Sequence, residues 1–547
     1  MDALVVRPSC ADRTGNPLMT WRPFLLLAVL GLVVMVFVSA FEPAPGYMDA
    51  DAYYAGGRQL ATGLGFTEPY LWNYLDNPVG LPHPSNAYWM PLASLLAAAG
   101  AVLFGPGSWT AARVGFLIVA ASIPPLTAAL AWSFTSRRNL ALTSGVLAVF
   151  SAFYLPFLPV TDTFGLYMLF GGLFFLLLVR HVSNVTPAAF LLSSFLLGIL
   201  AGLMHLSRAD GLLWLLLAIL AVAFVLKKPD QHRPLFTVFA LLVALSGYLL
   251  IMVPWFARNS TAFGALLSPG GTKMLWLTSY DQLFAYPASQ LTSAAWLQSG
   301  LASIIKARVW SLGLNLGTTL AVQGEIFLLP LIALGLWHLR KDRRVQLAGL
   351  AWLLTIGAMT VLFPFAGARG GFFHSGAALQ PVWWALSPLG LERLIELGRR
   401  KRGWNAAQAG SVFRTALVAL AVLLTAIIFW TRIIEANNGQ AWDQENIAYS
   451  QVNKFLLSQG ATCSDVVMVA NPPGFYLASG NPAVAVPDED ISTLLAVAKK
   501  YNAVYLVLEA GSVPADLLTV YDNPNGQTGL TYLTEIGRAR IFRLPHH

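Results

Sequence analysis

The chain has 547 residues, 56% of them hydrophobic and only 11% charged, less than half the roughly 25% charged content of ordinary soluble domains. That composition excludes a purely soluble protein and points to a lipid bilayer, each crossing of which takes roughly 20 mostly apolar residues. The net charge of +8 does not indicate nucleic acid, because the basic residues form short clusters between apolar runs, as cytoplasmic loops and contacts with anionic membrane lipids require. These clusters are Arg137-Arg138, Lys227-Lys228, Arg340-Lys341 with Arg343-Arg344, and Arg399 to Arg402.

In chain order, residues 1–21 are polar, and with Arg13 and Arg22 they are expected on the cytoplasmic side. The stretch Phe24 to Phe41 is longer than a signal-peptide core and has no small-residue cleavage pattern, so it is expected to stay as the first span. Further apolar runs fall near 87–105, 109–133, 140–157, 164–181, 188–206, 210–226, 234–256, 318–338, 345–366, 376–396 and 414–434. Residues 22–434 are thus a membrane module. The basic loops place the long polar stretches 42–86 and 257–317, and the tail 435–547, together on the outer face.

The same count puts Thr161-Asp162-Thr163 outside. Three runs then separate two outer points, which parity forbids, so one run between 87 and 157 either does not cross or is split so as to add a crossing, with Pro124-Pro125 and Gly105-Pro106-Gly107 the expected places for irregular geometry. Cys10 and Cys463 are expected on opposite sides of the membrane, so no disulfide and no metal cluster is expected from them. In the tail, 465–470 and 503–508 read as strands and 491–501 as a helix, with Asn471-Pro-Pro-Gly474 as a turn. The expected fold is mainly α, a polytopic helical membrane protein with a small extracytoplasmic α/β domain.

The chemistry-bearing residues gather on the outer face. Tyr47-Met-Asp49-Ala-Asp51-Ala-Tyr53-Tyr54 follows the first span, and 52–61 reads as a short interfacial helix. A carboxylate there, poorly hydrated beside aromatic rings, suits a base that takes a proton from a hydroxyl. Asp49 and Asp51 are two residues apart and would not share a helix face, so only one of them is expected to act. A helix N-cap accounts equally well for either. His83, between Pro82 and Pro84, is held rigidly and is a candidate for phosphate or metal, or a plain loop histidine; Tyr88 and Trp89 fit an aromatic belt. Arg208, Arg258, Lys273 and Arg369, with His374, also fall on the outer face. Arginines are disfavoured there unless they bind an anion such as a lipid phosphate, or snorkel to headgroups.

Taken together, these features resemble the GT-C class of integral-membrane glycosyltransferases, in particular the family 39-like group of protein O-mannosyltransferases and lipid A aminoarabinose transferases. The resemblance covers most of residues 20–434. It rests on Asp49 with Tyr53 four residues on, Pro84 to Trp89 leading into the next helix, the outer Asp162, Gly202 to Arg208, and Pro254-Trp255 with Arg258-Asn259.

It implies a polyprenyl-phosphate sugar donor, a lipid, glycan or protein acceptor deprotonated by Asp49 with Asp51 as substitute, and inversion at the anomeric carbon. It further implies that Asp162 lines the cavity and that Arg258 and the other outer cations hold the lipid phosphate. Where the aminoarabinose transferases carry Glu-Lys-Pro, this chain has Pro82-His83-Pro84, which is closer to the His-Pro-Pro of the mannosyltransferases. No cofactor is therefore firmly implied; a divalent metal is left as an option without assigned ligands.

Two readings from other classes remain. A transporter or flippase predicts ionisable residues in mid-membrane and discontinuous helices in two related halves. A non-catalytic assembly or sensor protein would use the tail as a binding module and leave Asp49 replaceable.

Overall fold

The computed structural model describes residues 20–182, 186–225, 234–435, 441–526 and 529–545. Cys10, Arg13 and Lys227-Lys228 lie outside them, and with these residues most of the 1–21 segment and the 227–233 loop.

Six helices among the described residues are long and apolar enough to cross a membrane: Trp21–Ser39, Trp109–Thr135, Pro187–Ser207, Pro234–Phe263, Arg343–Leu362 and Ala406–Ile434. Their outward faces carry exposed large side chains, among them Leu26, Val33, Leu235 and Leu250, which water would not tolerate in such number but lipid does. The protein is a multi-pass membrane protein.

The first helix, α1 (Trp21–Ser39), leads into α2 (Met48–Ala61), and the apolar run after the first loop forms α3 (Leu92–Phe104). With 13 residues, α3 is about 20 Å long, well short of the ~30 Å of hydrocarbon. It lies along α2 at both ends. A Cβ on Gly57 would come within 2.7 Å of Ala97, and beyond the far end of α3 the Gly107 carbonyl accepts a hydrogen bond from Tyr54 at 2.9 Å. α3 is therefore a short helix laid along α2. The next two runs form Trp109–Thr135, long and apolar enough to cross a membrane, and Arg138–Val149 followed by the 3-10 turn Ala152–Phe157. The last two pieces have 12 and 6 residues, which at ~1.5 and ~2.0 Å per residue give about 30 Å together.

The run 318–338 is broken. Glu325 and Ile326 have φ of 43° and 65°, and the helix resumes as Leu329–His338. Glu325 is buried there, accepting a hydrogen bond from Trp384 Nε1 at 2.6 Å.

The tail holds more strands than the sequence pattern indicated. With β1 (Thr67–Glu68) and β3 (His83–Pro84) paired in the first outer loop, β2 (Tyr70–Leu71) joins the tail strands β4 (Val466–Val469), β5 (Ala483–Ala485), β6 (Ala503–Glu509), β7 (Thr531–Ile536) and β8 (Ala539–Arg543). Their order is β2-β5-β4-β6-β8-β7. The first four neighbours run parallel, and β8 and β7 are antiparallel additions. The helix Ile491–Tyr501 covers one face and Gln444–Ser458 with Pro472–Ser479 the other, which is why the central strands are apolar on both sides. Asn471-Pro-Pro-Gly474 is the start of the helix Pro472–Ser479 and not a free turn: Asn471 Oδ1 accepts from Gly474 N at 3.0 Å and proline occupies the first helical turn.

The first outer loop thus contributes an edge strand to the tail sheet. The second touches the tail through Asp488 N to Phe284 O at 3.1 Å, so the three polar stretches pack on one another.

Candidate active site

Tyr47 is extended and caps α2, which makes Asp49 and Asp51 first-turn residues near the positive end of the helix dipole. Neither is an N-cap, because no side chain makes a capping bond there. Two residues apart on a helix, they point to opposite sides.

Asp49 faces the membrane module. Its Oδ1 accepts a hydrogen bond from Trp89 Nε1 at 3.1 Å, and its Oδ2 lies 3.5 Å from His374 Nε2. The same imidazole nitrogen is 3.2 Å from Asp162 Oδ2. Asp162 comes from the segment before the helix Phe164–Val182, and His374 from the outer loop after Arg343–Leu362. That loop reverses at Gly370, whose φ of 118° is costly for any residue with a Cβ. His374 is fixed by Nδ1 donating to the Gly370 carbonyl at 3.0 Å and by stacking on Phe164 at 3.9 Å.

The two carboxylates sharing His374 differ. Asp162 has no exposed side-chain surface, while Asp49 keeps 32%. Burial pushes Asp162 up, but His374 and hydrogen bonds from Tyr47 and Thr163 hold it below the usual carboxylate range. Burial raises Asp49, and the Asp162 charge raises it further; His374, Arg208 and the Trp89 bond only partly offset this. Neighbouring carboxylates whose proton affinities are driven apart are a signature of divided roles. Of the two, Asp162 is the buried carboxylate with the lower proton affinity, and Asp49 is the solvent-reachable one with the raised affinity.

Arg208 lies beside this centre, where its charge acts on Asp49 and Asp162. It is paired with Asp210 at 3.0 Å and its guanidinium lies 6.0 Å from the Tyr167 ring. Arg369 is exposed and lies over Tyr280, 4.9 Å from the ring centroid. That tyrosine in turn feels the Asp49 charge.

The other proposed cations lie elsewhere. Arg258 donates to Ser85 O at 2.7 Å and sits 4.9 Å from both the Trp255 and Phe263 rings. His83 is buried between Glu68 and Asp76, 3.7 and 3.5 Å away, and its Nε2 donates to Tyr70 O at 3.0 Å. Burial lowers its pKa, but the two acids keep it above the ordinary value. Lys273 is half-buried, with Asp76 as its charged neighbour. Arg258 and His83 thus tie polar segments to one another, and none of the three has a described contact with Asp49. Asp51, 6% exposed, faces the tail.

Sequence reasoning did not single out Tyr47, Trp89 or Asp210 for the site. Their partners lie 115, 40 and 2 residues away, and only the last spacing is visible locally, as Arg208-Ala-Asp210.

Ligating atoms of Asp49, Asp162 and His374 all lie within 4.8 Å of one another. Two oxygens and one imidazole nitrogen, with the other ring nitrogen tied to a carbonyl, form a donor set that fits a divalent cation. The metal-capable residues are therefore these three and not His83.

No protein-family model matches the chain, and no curated protein matches it. Solved structures do. The archaeal oligosaccharyltransferase AglB from Archaeoglobus fulgidus, in complex with an inhibitory peptide and a dolichol-phosphate, aligns over 95% of this chain and 74% of its own, at 14% identity and a TM-score of 0.56. The Archaeoglobus fulgidus oligosaccharyltransferase in complex with Zn and sulfate aligns over 94% and 72%, at 12% identity and a TM-score of 0.55. ArnT from Cupriavidus metallidurans bound to undecaprenyl phosphate aligns over 96% and 98%, at 13% identity and a TM-score of 0.57. With such likeness over nearly its whole length, this chain has the GT-C membrane glycosyltransferase fold.

Proposed function

We propose that this chain is an inverting glycosyltransferase that moves a sugar from a polyprenyl-phosphate donor to a hydroxyl acceptor at the outer face of the cytoplasmic membrane. The observation that carries the reading is the partly exposed Asp49 carboxylate, raised in proton affinity and backed by His374 and by an Asp162 held below the usual carboxylate range, with Arg208 alongside. AglB and ArnT, solved with dolichol-phosphate and undecaprenyl phosphate respectively, support a lipid-linked donor on this fold.

The chemistry asks for little more. The acceptor oxygen attacks the anomeric carbon as its proton passes to Asp49, and the bond from that carbon to the phosphate oxygen breaks. The polyprenyl phosphate leaves with the bonding electrons, so the departing dianion needs cations around it. Arg208, whose charge acts on Asp49 and Asp162, is the first candidate to supply them, with Arg369 as a second. Asp49, Asp162 and His374 would hold a divalent cation, which when bound would supply further positive charge for the phosphate. Trp89 on Oδ1 and His374 near Oδ2 orient the Asp49 carboxylate, whose side chain keeps 32% of its surface for an acceptor to reach.

Orientation follows from single helices that carry the site at one end and a basic cluster at the other. Arg343–Leu362 starts at Arg343-Arg344 and ends before the His374 loop, and Gln380–Arg402 starts after that loop and ends at Arg399 to Arg402. This supports a site and tail outside and basic loops inside.

The transporter reading has one point in its favour, the buried Glu325 at a helix break. The accessible acid centre, however, is built from helix ends and outer loops. The test is transfer from a panel of polyprenyl-phosphate sugars into a membrane extract by the purified protein. Labelled product is expected with at least one donor; a folded protein that transfers from none, while moving a labelled lipid-linked sugar across proteoliposomes, overturns the reading.

A further inference from the structure

We propose that Asn471 of the tail is a positioning residue for Asp49, acting through Asp51, which makes the tail a working part of the site and not an appended binding module. The inference rests on the glycosyltransferase reading for its kinetic consequences, but its structural content stands on the contacts alone.

The segment that carries Asp49 is gripped from two sides. From the membrane module, Thr161 Oγ1 donates to Ala50 O at 2.7 Å and Tyr47 donates to Asp162. From the tail, Trp442 Nε1 donates to Ala44 O at 3.0 Å, and its indole fills the space over Gly46, where a Cβ would come within 2.3 Å of that nitrogen. At the sheet edge Tyr70 donates to Ala52 O at 3.3 Å.

Between these contacts sits Asn471, 2% exposed. Its Nδ2 donates one hydrogen to Asp51 Oδ2 at 2.9 Å and the other to Glu445 Oε2 at 3.0 Å. Its Oδ1 caps the helix Pro472–Ser479, and its backbone N–H donates to Tyr449 Oη at 3.1 Å.

Every polar atom in this list is committed, and asparagine is well suited to the place. It offers two donors to two carboxylates that would otherwise face each other, and one acceptor to a helix start. Aspartate would bring a third negative charge. Alanine would leave Asp51, 6% exposed, without this donor and opposed by Glu445, a costly state for a buried carboxylate. On the Gly474 side the cluster is tight: a Cβ there would lie 2.9 Å from Asp51 Oδ2 and 2.6 Å from Asn471 Nδ2, while a small cavity bordered by Asp51, Glu445 and Tyr449 lies beside it. A move of the Asp51 backbone away from Glu445 carries the first turn of α2 with it, and Asp49 is in that turn, two residues from Asp51. A shift of about 1 Å at a reacting group costs on the order of 100-fold in rate.

The test uses the full-length protein in detergent micelles, as wild type, Asn471→Ala, Asp51→Ala, the double variant and Gly474→Ala. Hydrogen exchange reads the clamp without any activity. In Asn471→Ala and Gly474→Ala, amides of residues 48–54 should exchange about tenfold faster or more, while β4 and β6 keep their protection. Kinetics read the consequence: Asn471→Ala should lower kcat by about 10- to 100-fold with the donor KM within about twofold, and the double variant should be no worse than the poorer single one.

Unchanged exchange in 48–54, exchange raised equally across the tail strands, or additive losses in the double variant would each overturn the proposal. If the wild type transfers no sugar but the exchange pattern appears, the clamp stands and the glycosyltransferase reading is what has failed.

Discussion

Two acidic clusters flank one turn of helix. On one side of the α2 start, Asp49 and Asp162 meet His374, Trp89, Tyr47 and Thr163. On the other, Asp51 and Glu445 share the Asn471 amide, with Glu509 bonded to Tyr449 at 2.9 Å. Both bury carboxylates, but the first compensates them with an imidazole, an arginine and hydrogen-bond donors, and leaves one oxygen-bearing group open to solvent. The second has no cation among its described contacts, and burial together with neighbouring acids raises Asp51 and Glu509. The difference teaches that burial alone does not make an acid catalytic. What distinguishes Asp49 is accessibility together with a partner that can hold its ionised form.

The comparison breaks most easily at Asp49. Asp49→Asn keeps the shape and removes the base, so transfer should fall by about 10²- to 10⁴-fold, the usual worth of a general base; initial rates of radiolabelled sugar transfer measure it.

Next in size is the pH dependence. Asp49 works ionised and its affinity for a proton is raised, so activity should be lost on acidification through a pKa above the ordinary ~3.9 of aspartate. The Asp162 charge is one cause of that elevation. In Asp162→Asn the acid limb of kcat against pH should therefore move to lower pH while the maximal rate drops; a limb that stays in place or moves up would break the assignment of roles.

How much of this was legible beforehand depended on whether the signal was local. That Asp49 and Asp162 share one face is legible because each lies next to an apolar run away from the basic loops, and span length and charge bias are properties of the sequence itself; a cavity role for Asp162 comes only with the family resemblance. His83 shows the limit. A histidine fixed between prolines looked like a ligand, but Glu68 and Asp76, 15 and 7 residues upstream, occupy it.

The α3 run reads like a span because a short helix packed against α2 by Ser94 and Ala97 uses the same small apolar residues as a crossing. β2 is two residues long, too short for any alternation to register, so the union of the first outer loop with the tail sheet could not be seen. Asn471 was read as turn chemistry because its capping role is local, whereas its bond to Asp51 spans 420 residues.

The second cluster gives smaller expected effects. Asp51→Asn retains an acceptor for Asn471, so transfer should fall by less than about tenfold; a loss as large as that of Asp49→Asn would erase the distinction between the two clusters.

Smallest is a stability effect at Glu509, whose pKa burial pushes up to about 7, against ~4.3 in an unfolded chain. The folded state keeps this proton longer than the unfolded one, so the contribution is fully present below about pH 4.3 and is lost as pH rises toward about 7. Melting temperature should decline over that interval in the wild type and decline less in Glu509→Gln. Equal slopes would show that Glu509 does not titrate in the folded tail.

The most direct measurement sets wild type, Asp49→Asn and Asp51→Asn side by side at matched expression and folding, each offered the polyprenyl-phosphate sugar that the wild type accepts. The account predicts transfer by the wild type, a loss of at least about 100-fold in Asp49→Asn and a loss of less than about tenfold in Asp51→Asn. Wild-type rates in Asp49→Asn would contradict it.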